Sequence, residues 1–251
     1  MGSPRASVHV QLWLRFDVTL SLPRRADSCF YARTNARCAS THVRRPLEAP
    51  AKYEYPPPAS SNNNTFGPRM IYNAMARALD DGMKNVTDAI KAAGLWPETL
   101  VVFSADNGGW LLPAGRAGSS NWPLRGGKVS DFEGGVRAVS FISGGYLPAS
   151  VRGSRHTGII SVADWYATFC RLAGVDPTDA PANRTVPGID SIDIWASLLV
   201  PNNTQSPRTT LPLAFNGVPT GPQSQLGDAG LIVGEHKIIC GKQAGMGWWQ
   251  G

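Results

Sequence analysis

Residues 100–137 decide the fold, and they contain two informative runs: LVVFSADNGG at residues 100–109 and NWPLRGGKVSDFEGGVR at residues 121–137. The first run begins with apolar residues that include two valines, which predicts a buried strand over residues 100–105. Asp106 and Asn107 follow at once, and then two glycines that let the backbone turn sharply. In an open α/β sheet, ligands bind beyond the carboxyl ends of the strands. The sequence therefore predicts a ligand or metal site where this strand ends.

Asp106 and Asn107 are candidate metal ligands. A carboxylate beside an amide supplies hard oxygen donors, which suit Ca²⁺ or Mg²⁺ better than a metal that prefers thiolates. The alternative is that Asp-Asn-Gly-Gly only forms a turn, since these are common turn residues. The second run favours a site, because it adds RGGK and EGGVR in a pattern that a simple turn does not require.

Together, the two runs resemble the sulfatase family, and within it the arylsulfatases similar to the N-acetylgalactosamine-4-sulfatase group. The resemblance implies an α/β fold, namely a partial α/β/α sandwich of the alkaline-phosphatase and sulfatase type with a mixed sheet. It also implies hydrolysis of a sulfate ester, on an aryl sulfate or a sulfated sugar, with one divalent cation, usually Ca²⁺. By position in the motifs, Asp106 and Asn107 match two metal ligands of the family. Lys128 matches the catalytic lysine that contacts the sulfate and the leaving oxygen.

The nucleophile that the resemblance implies is not encoded in this sequence. Sulfatases of this kind use a formylglycine made from the cysteine of C-x-P-S-R or C-x-A-x-R, and Cys29 comes closest, in CFYAR, where Tyr31 replaces the required Pro or Ala. The resemblance covers residues 46–251, the second part of a sulfatase catalytic domain. Residues 1–45 are predicted to be disordered or outside the fold. We therefore expect a chain truncated at both ends, with an incomplete metal site and no turnover by the isolated polypeptide.

Local patterns predict further elements around the two runs. Apolar residues every three to four positions predict an amphipathic helix over residues 69–93, ended by Gly94. A second helix is predicted over residues 159–172. A strand is predicted over residues 138–142, and a hairpin from residues 231–233 and 236–240. Asp164, near the start of the second helix, is expected to have a structural role.

Charge and hydropathy argue against two classes of partner. The net charge is +6, but the arginines are concentrated in the first 45 residues and the remainder is close to balanced. Without a basic stripe interleaved with aromatic residues, nucleic-acid binding is not expected. No apolar run approaches the ~20 residues that a transmembrane helix needs.

Several features bear on cellular location. The sequence contains four N-x-S/T sequons, which are candidate glycosylation sites: Asn63, Asn85, Asn183 and Asn202. Together with the family resemblance, they favour a secretory route to the lysosome or the extracellular space. A signal peptide is not clear, because Arg15 and Asp17 interrupt the only partly apolar N-terminal segment. The four cysteines have no C-x-x-C spacing, so a zinc site is not indicated and any disulfide pairing stays open.

Three interpretations of the whole chain remain. The first is a piece of a sulfuric ester hydrolase, and the second is a non-catalytic secreted protein that binds sulfated glycans. The third is an incomplete gene product of an ordinary sulfatase, which the unmatched first 45 residues favour over an evolved inactive protein. An in-frame nucleophile motif upstream of Pro46 in the transcript would decide between the enzyme and the binding protein.

Overall fold

The computed structural model of the chain describes residues 8–12, 30–32, 66–111, 118–178, 188–215, 229–241 and 243. A four-stranded sheet has the strand order β2-β1-β3-β4. Its strands are β1 (Val8–Leu12), β2 (Phe30–Ala32), β3 (Thr99–Ser104) and β4 (Ser140–Ser143). Strand β1 is parallel to both β2 and β3, whereas β4 is antiparallel to β3. The sheet is therefore mixed, as predicted.

Strands β1 and β2 lie in a region for which the sequence predicts no structure. Val8 of β1 pairs with Thr99 of β3, and Val10 pairs with Phe30 of β2. The expectation that residues 1–45 lie outside the fold is therefore wrong for these two short segments. The sequence VHVQL alternates apolar and polar residues, which is the period of a strand, but five residues are too few to stand out from their surroundings. The division of the chain at residue 46 stays a prediction.

Strand β3 is the centre of the described core. The prediction places it over residues 100–105, the structure over Thr99–Ser104, and its first four residues are buried. Leu100 and Val102 pack on one face against residues that follow β4 and residues of two helices. This cluster consists of Leu100, Val102, Leu147, Val151, Trp165, Ile194, Trp195 and Leu198. Val101 is also buried, so side chains on both faces of β3 are covered, as in a central strand of an α/β sheet.

The two predicted amphipathic helices are present. Helix α1 spans Phe66–Ala92, three residues earlier at its start than predicted. It ends as expected at Gly94, which has φ +72°. The amide of Leu95, the next residue, donates to the carbonyl of Ile90 in the last turn of the helix. Lys84 and Asp88 form an exposed ion pair on its polar face.

Helix α2 spans Glu133–Val136 and helix α4 spans Trp195–Leu198, and both are short. Between them in the chain lies α3, which spans Asp164–Ala173 and closes at Gly174, a residue with φ +71°. It begins five residues later than predicted, because Ser161 starts a turn in which its carbonyl accepts from the amide of Asp164.

A second sheet follows the last helix, with the order β5-β6-β7. Its strands are β5 (Thr210–Phe215), β6 (Ala229–Val233) and β7 (His236–Cys240). The β6–β7 hairpin agrees with the prediction, whereas β5 is an additional strand. The structure contains no helix long and apolar enough to cross a membrane within the described residues.

Candidate functional site

Asp106 and Asn107 lie directly beyond the carboxyl end of β3, at the predicted edge of the sheet. Asp106 is exposed and Asn107 is half-buried. The Asn107 amide nitrogen donates to the carbonyl of Gly108 at 2.6 Å, so its amide oxygen is left to accept from other groups. Both side chains line one cavity of about 1710 Å³. Asp106 and Asn107 therefore border a common space large enough for a ligand.

Three pairs of glycines build the framework around these two residues: Gly108–Gly109, Gly126–Gly127 and Gly134–Gly135. The amide of Gly108 donates to the carbonyl of Gly135 at 2.8 Å. A Cβ atom on Gly108 would lie 1.6 Å from the carbonyl oxygen of Gly134, and one on Gly127 would lie 2.4 Å from that of Gly109. The segments ADNGG, RGGK and EGGVR thus pack backbone on backbone, at distances that no side chain permits.

Asn121 holds two of these glycine pairs together. Its side-chain oxygen accepts from the amide of Gly109, and its amide nitrogen donates to the carbonyl oxygens of Gly109 and Gly126, at 2.8, 2.8 and 3.0 Å. The Asn121 side chain therefore both accepts and donates hydrogen bonds, and it joins the Gly108–Gly109 pair to the Gly126–Gly127 pair. Asn121 begins the second quoted run, but the sequence predicts no role for it.

Lys128 is attached to this framework through its backbone. Its amide donates to the carbonyl of Gly109 at 3.0 Å, two residues beyond Asn107. The side chain is half-buried. It is not among the residues that line the cavity, although its neighbours Val129, Ser130 and Asp131 are. The structure thus attaches the backbone of Lys128 to Gly109, and contact of its ammonium group with a ligand stays a prediction.

The turn after Lys128 continues into the second sheet. Asp131 is buried, its amide donates to the side-chain oxygen of Gln243 at 2.7 Å, and Gln243 donates back to its carboxylate at 3.4 Å. A Cβ atom on Gly230 of β6 would lie 3.2 Å from Asp131, so the strand and the turn are in close contact. Glu133 accepts from Lys237 of β7 at 2.7 Å.

Two arginines of the second run contact neighbouring side chains. Arg137 lies 3.8 Å from the Glu133 carboxylate, four residues before it in the chain. The Arg125 guanidinium lies over the ring of Phe132, 4.0 Å from its centroid. The first contact lies within EGGVR, and the second joins the arginine of RGGK to Phe132, which directly precedes EGGVR.

The two candidate ligands, Asp106 and Asn107, have the donor atoms that a hard cation prefers. Asp106 and Asn107 offer oxygen atoms only, as Ca²⁺ and Mg²⁺ prefer. No group of three or more His, Cys, Asp or Glu side chains that could hold a metal occurs in the part of the chain that the structure describes.

His156, which is half-buried, and Asp164, which is buried, lie outside this framework. His156 lines the same cavity, and neither of its ring nitrogens has a hydrogen-bond partner among the described residues. Burial lowers the pKa of the His156 imidazole below its ordinary value of 6.5. The nearby backbones of Gln205 and Gly158 oppose this shift, but they do not reach hydrogen-bonding geometry with the ring. Asp164 is fully buried against Arg208, which confirms its structural role.

Two of the four sequons lie among the described residues. Asn85 is exposed on α1, and Asn202 is exposed in a turn with φ +53°. Asn63 and Asn183 lie outside the described residues, as do Cys29 and Cys38. Cys170 and Cys240 are free thiols.

The family model for sulfatases matches residues 38–175, more than half of the chain. The chain belongs to the sulfatase family. The matched segment contains the whole glycine framework and both candidate metal ligands, and it begins eight residues before the predicted boundary at residue 46.

Named sulfatases are similar to this chain over part of their length. Arylsulfatase J of Mus musculus is 34% identical over 169 residues, which are 67% of this chain and 25% of that protein. N-acetylgalactosamine-6-sulfatase of Rattus norvegicus is 33% identical over 121 residues, which are 47% of this chain and 22% of that protein. The chain therefore spans about a quarter of the length of these curated relatives.

The likeness extends to solved structures. The crystal structure of Ps i-CgsB has a TM-score of 0.61 and 25% identity, with 88% of this chain and 42% of that chain covered. The same protein in complex with k-i-k-neocarrahexaose has a TM-score of 0.59 and 24% identity over the same shares. The α/β fold with a mixed sheet, predicted from the family resemblance, is thereby confirmed.

Proposed function

We propose that this chain carries the metal-binding and sulfate-binding part of a sulfatase active site, in a sulfuric ester hydrolase that acts on an aryl sulfate or a sulfated sugar. One observation carries the proposal. The glycine framework joins ADNGG, RGGK and EGGVR into one structure at the end of β3, with Asp106 and Asn107 facing a common cavity. Membership of the sulfatase family supplies the reaction type.

Each residue has a role that follows from its chemistry. Asp106 and Asn107 would hold a divalent cation, Ca²⁺ by family, through their side-chain oxygens. Such a cation polarises sulfate oxygens when it is bound. The ammonium group of Lys128 would bind the sulfate and stabilise the charge that develops on the leaving oxygen.

We infer that the polypeptide by itself does not hydrolyse sulfate esters. Removing a nucleophile commonly costs most of an enzyme's rate enhancement even when the other groups survive. The sequence has four cysteines and none stands in a formylglycine motif.

The test uses the full chain, co-expressed with the formylglycine-generating enzyme and assayed with 4-methylumbelliferyl sulfate. We expect no turnover, and unmodified thiols by mass spectrometry. Turnover that is lost in Lys128→Ala, or an aldehyde at Cys29, would overturn this inference. Turnover that Lys128→Ala leaves unchanged would indicate a contaminating enzyme or an unrecognised site, and would count against the proposed role of Lys128.

Metal affinity provides a second test. Two protein ligands fall short of the six to eight oxygens that Ca²⁺ takes, so we expect calorimetry with Ca²⁺ to give a dissociation constant weaker than micromolar. Tighter binding would contradict the two-ligand site.

The substrate class is proposed from the names of relatives. N-acetylgalactosamine-6-sulfatase is named for a sulfated sugar, and the solved Ps i-CgsB complex contains k-i-k-neocarrahexaose. A sulfated glycan is accordingly our first choice of natural ligand, with a secretory, lysosomal or extracellular location. The exposed sequons Asn85 and Asn202 support that route, and a mass decrease on treatment with peptide N-glycosidase would test it.

The second candidate function is non-catalytic binding of sulfated glycans. The encoded sequence favours it, because the candidate ligand-binding residues Asp106, Asn107 and Lys128 are present while the nucleophile motif is not. Glycan binding that is weakened by Lys128→Ala, with no turnover under any maturation condition, is the expected signature. Restored turnover after a transcript-encoded upstream segment is added would instead favour the enzyme.

A further inference from the structure

Lys128 and Val129 are the two central residues of a tight turn that begins at Gly127. The amide of Ser130 donates to the carbonyl of Gly127 at 3.1 Å, and the Ser130 hydroxyl donates to the same carbonyl at 2.8 Å. Val129 has φ +70°. A turn with positive φ at its third residue normally has glycine or asparagine there, because a Cβ atom is crowded in that conformation.

A valine at this position is costly in two ways. Its β-branched side chain makes the left-handed conformation more strained than it is for other residues. Its side chain is also 59% exposed, so burial does not offset the strain. The other described non-glycine residue with positive φ is Asn202, whose residue type tolerates the conformation. Neither packing nor turn chemistry therefore explains Val129.

The position of Val129 relative to the candidate site does offer an explanation. It follows Lys128 directly, and it lines the cavity that Asp106 and Asn107 face. The turn places an exposed isopropyl group beside the lysine backbone that the glycine framework holds. A sulfate ester has a charged end and an organic end, and the two need different partners.

We propose that Val129 is a specificity-determining residue, whose side chain packs against the organic part of a sulfate ester held through its sulfate by Lys128. The inference rests on the proposed function of Lys128. Its mechanism is burial of apolar surface on both partners, which is sensitive to the shape of the alcohol or sugar and insensitive to the sulfate group itself. The strain at Val129 is then part of the site, since it fixes where the isopropyl group stands.

The experiment compares two probes, 4-methylumbelliferyl sulfate and inorganic sulfate, by NMR titration of the labelled full-length chain. Val129→Gly should weaken binding of the aryl sulfate about tenfold, the size expected if most of the valine side chain is buried against the probe. It should leave the affinity for inorganic sulfate unchanged and should not lower Tm, because glycine relieves the strain. Lys128→Ala should weaken both probes.

Two further variants keep the test decisive. Val129→Ala retains Cβ and removes two methyl groups, so it should also weaken only the aryl sulfate. Val139→Ala is the matched control, because Val139 is 69% exposed but does not line the cavity, and it should change neither affinity.

Each remaining outcome has a definite meaning. Unchanged aryl sulfate affinity in both Val129 variants would overturn the inference alone, as would equal weakening of the two probes. Failure of the unmodified chain to bind either probe would overturn the proposed function and the inference with it.

Discussion

Asp164 and Asp106 both stand at an end of a secondary-structure element, and their surroundings are opposite. Asp164 is fully buried at the start of α3, where its carboxylate accepts from the amides of Ser161 and Ile192 and from the guanidinium of Arg208. Asp106 is exposed after β3, and within the described residues its carboxylate has no hydrogen bond or ion pair. A carboxylate whose oxygens are all occupied holds the fold, whereas one left open above a cavity is available to a ligand.

The frames around the two aspartates differ in the same way. Around Asp164, side chains do the packing, with Trp165 stacked on Phe169 at 5.4 Å between ring centroids. Around Asp106, glycine backbones pack directly on one another, and the Asn121 side chain bonds two of the glycine pairs. Side-chain packing suits a core, whereas bare backbone gives sharp turns that hold a few polar groups at fixed positions.

The largest expected effect is in the Asp164 region. Asp164→Ala would leave the Arg208 guanidinium buried without its counter-ion, and we expect a loss of about 3–5 kcal/mol in the free energy of unfolding. Urea denaturation measures it. The matched variant Asp106→Ala should stay within about 0.5 kcal/mol of the parent chain. An equal loss of unfolding free energy in the two variants would contradict the proposed difference between Asp164 and Asp106.

Next in size is the effect of a methyl group in the glycine framework. Gly108→Ala would place Cβ 1.6 Å from the carbonyl oxygen of Gly134, so the backbone must shift. We expect a loss of about 1–3 kcal/mol in the same assay, the usual range for overpacking. Gly188→Ala is the control, since a Cβ atom there would have nothing within 4 Å and no positive φ is involved. A tolerated Gly108→Ala would mean that the three motifs are not packed as described.

The smallest expected effect is a pH dependence from His156. Because burial holds the folded-state pKa of His156 below 6.5, the unfolded chain binds its proton first as the pH falls. Stability should therefore be lost as the pH drops through 6.5 toward the lower folded-state pKa, and the dependence should be shallower in His156→Phe. Unfolding free energies at pH 7.5 and 5.5 measure it, with the exposed His236→Gln as control. A steeper dependence in His156→Phe would have the wrong sign for this account.

Elements with local signals can be predicted from the sequence. The apolar period of α1 and the glycine after it define the helix almost to its ends, and the hairpin of β6 and β7 has its own alternation and turn. Strand β5 escapes prediction because Pro212 argues against a strand, and the pairing with β6 indeed slips between Pro212 and Ala214. Strand β1 escapes it because five alternating residues carry little information by themselves.

The candidate site likewise has parts with a local sequence signal and parts without one. Asp106, Asn107 and Lys128 belong to short motifs and can be named from the sequence. The partners that fix the surrounding structure cannot, because they are far apart in the chain: Lys237 reaches Glu133 across 104 residues, and Gln243 reaches Asp131 across 112. Arg208, the partner of Asp164, comes from 44 residues away. Such pairs depend on the completed fold and leave no periodic signal.

The most direct test of the central claim is paramagnetic broadening by Mn²⁺, used alone in place of Ca²⁺, in NMR spectra of the labelled full-length chain. If Asp106 and Asn107 are the ligands, the amide signals of Gly108, Gly109 and Lys128 should broaden first, even at weak affinity. Asp106→Ala should abolish the effect, while Asp80→Ala on the exposed face of α1 should leave it intact. Broadening that centres on Glu133 and Glu235 instead, or that survives Asp106→Ala, would contradict the assignment of this site.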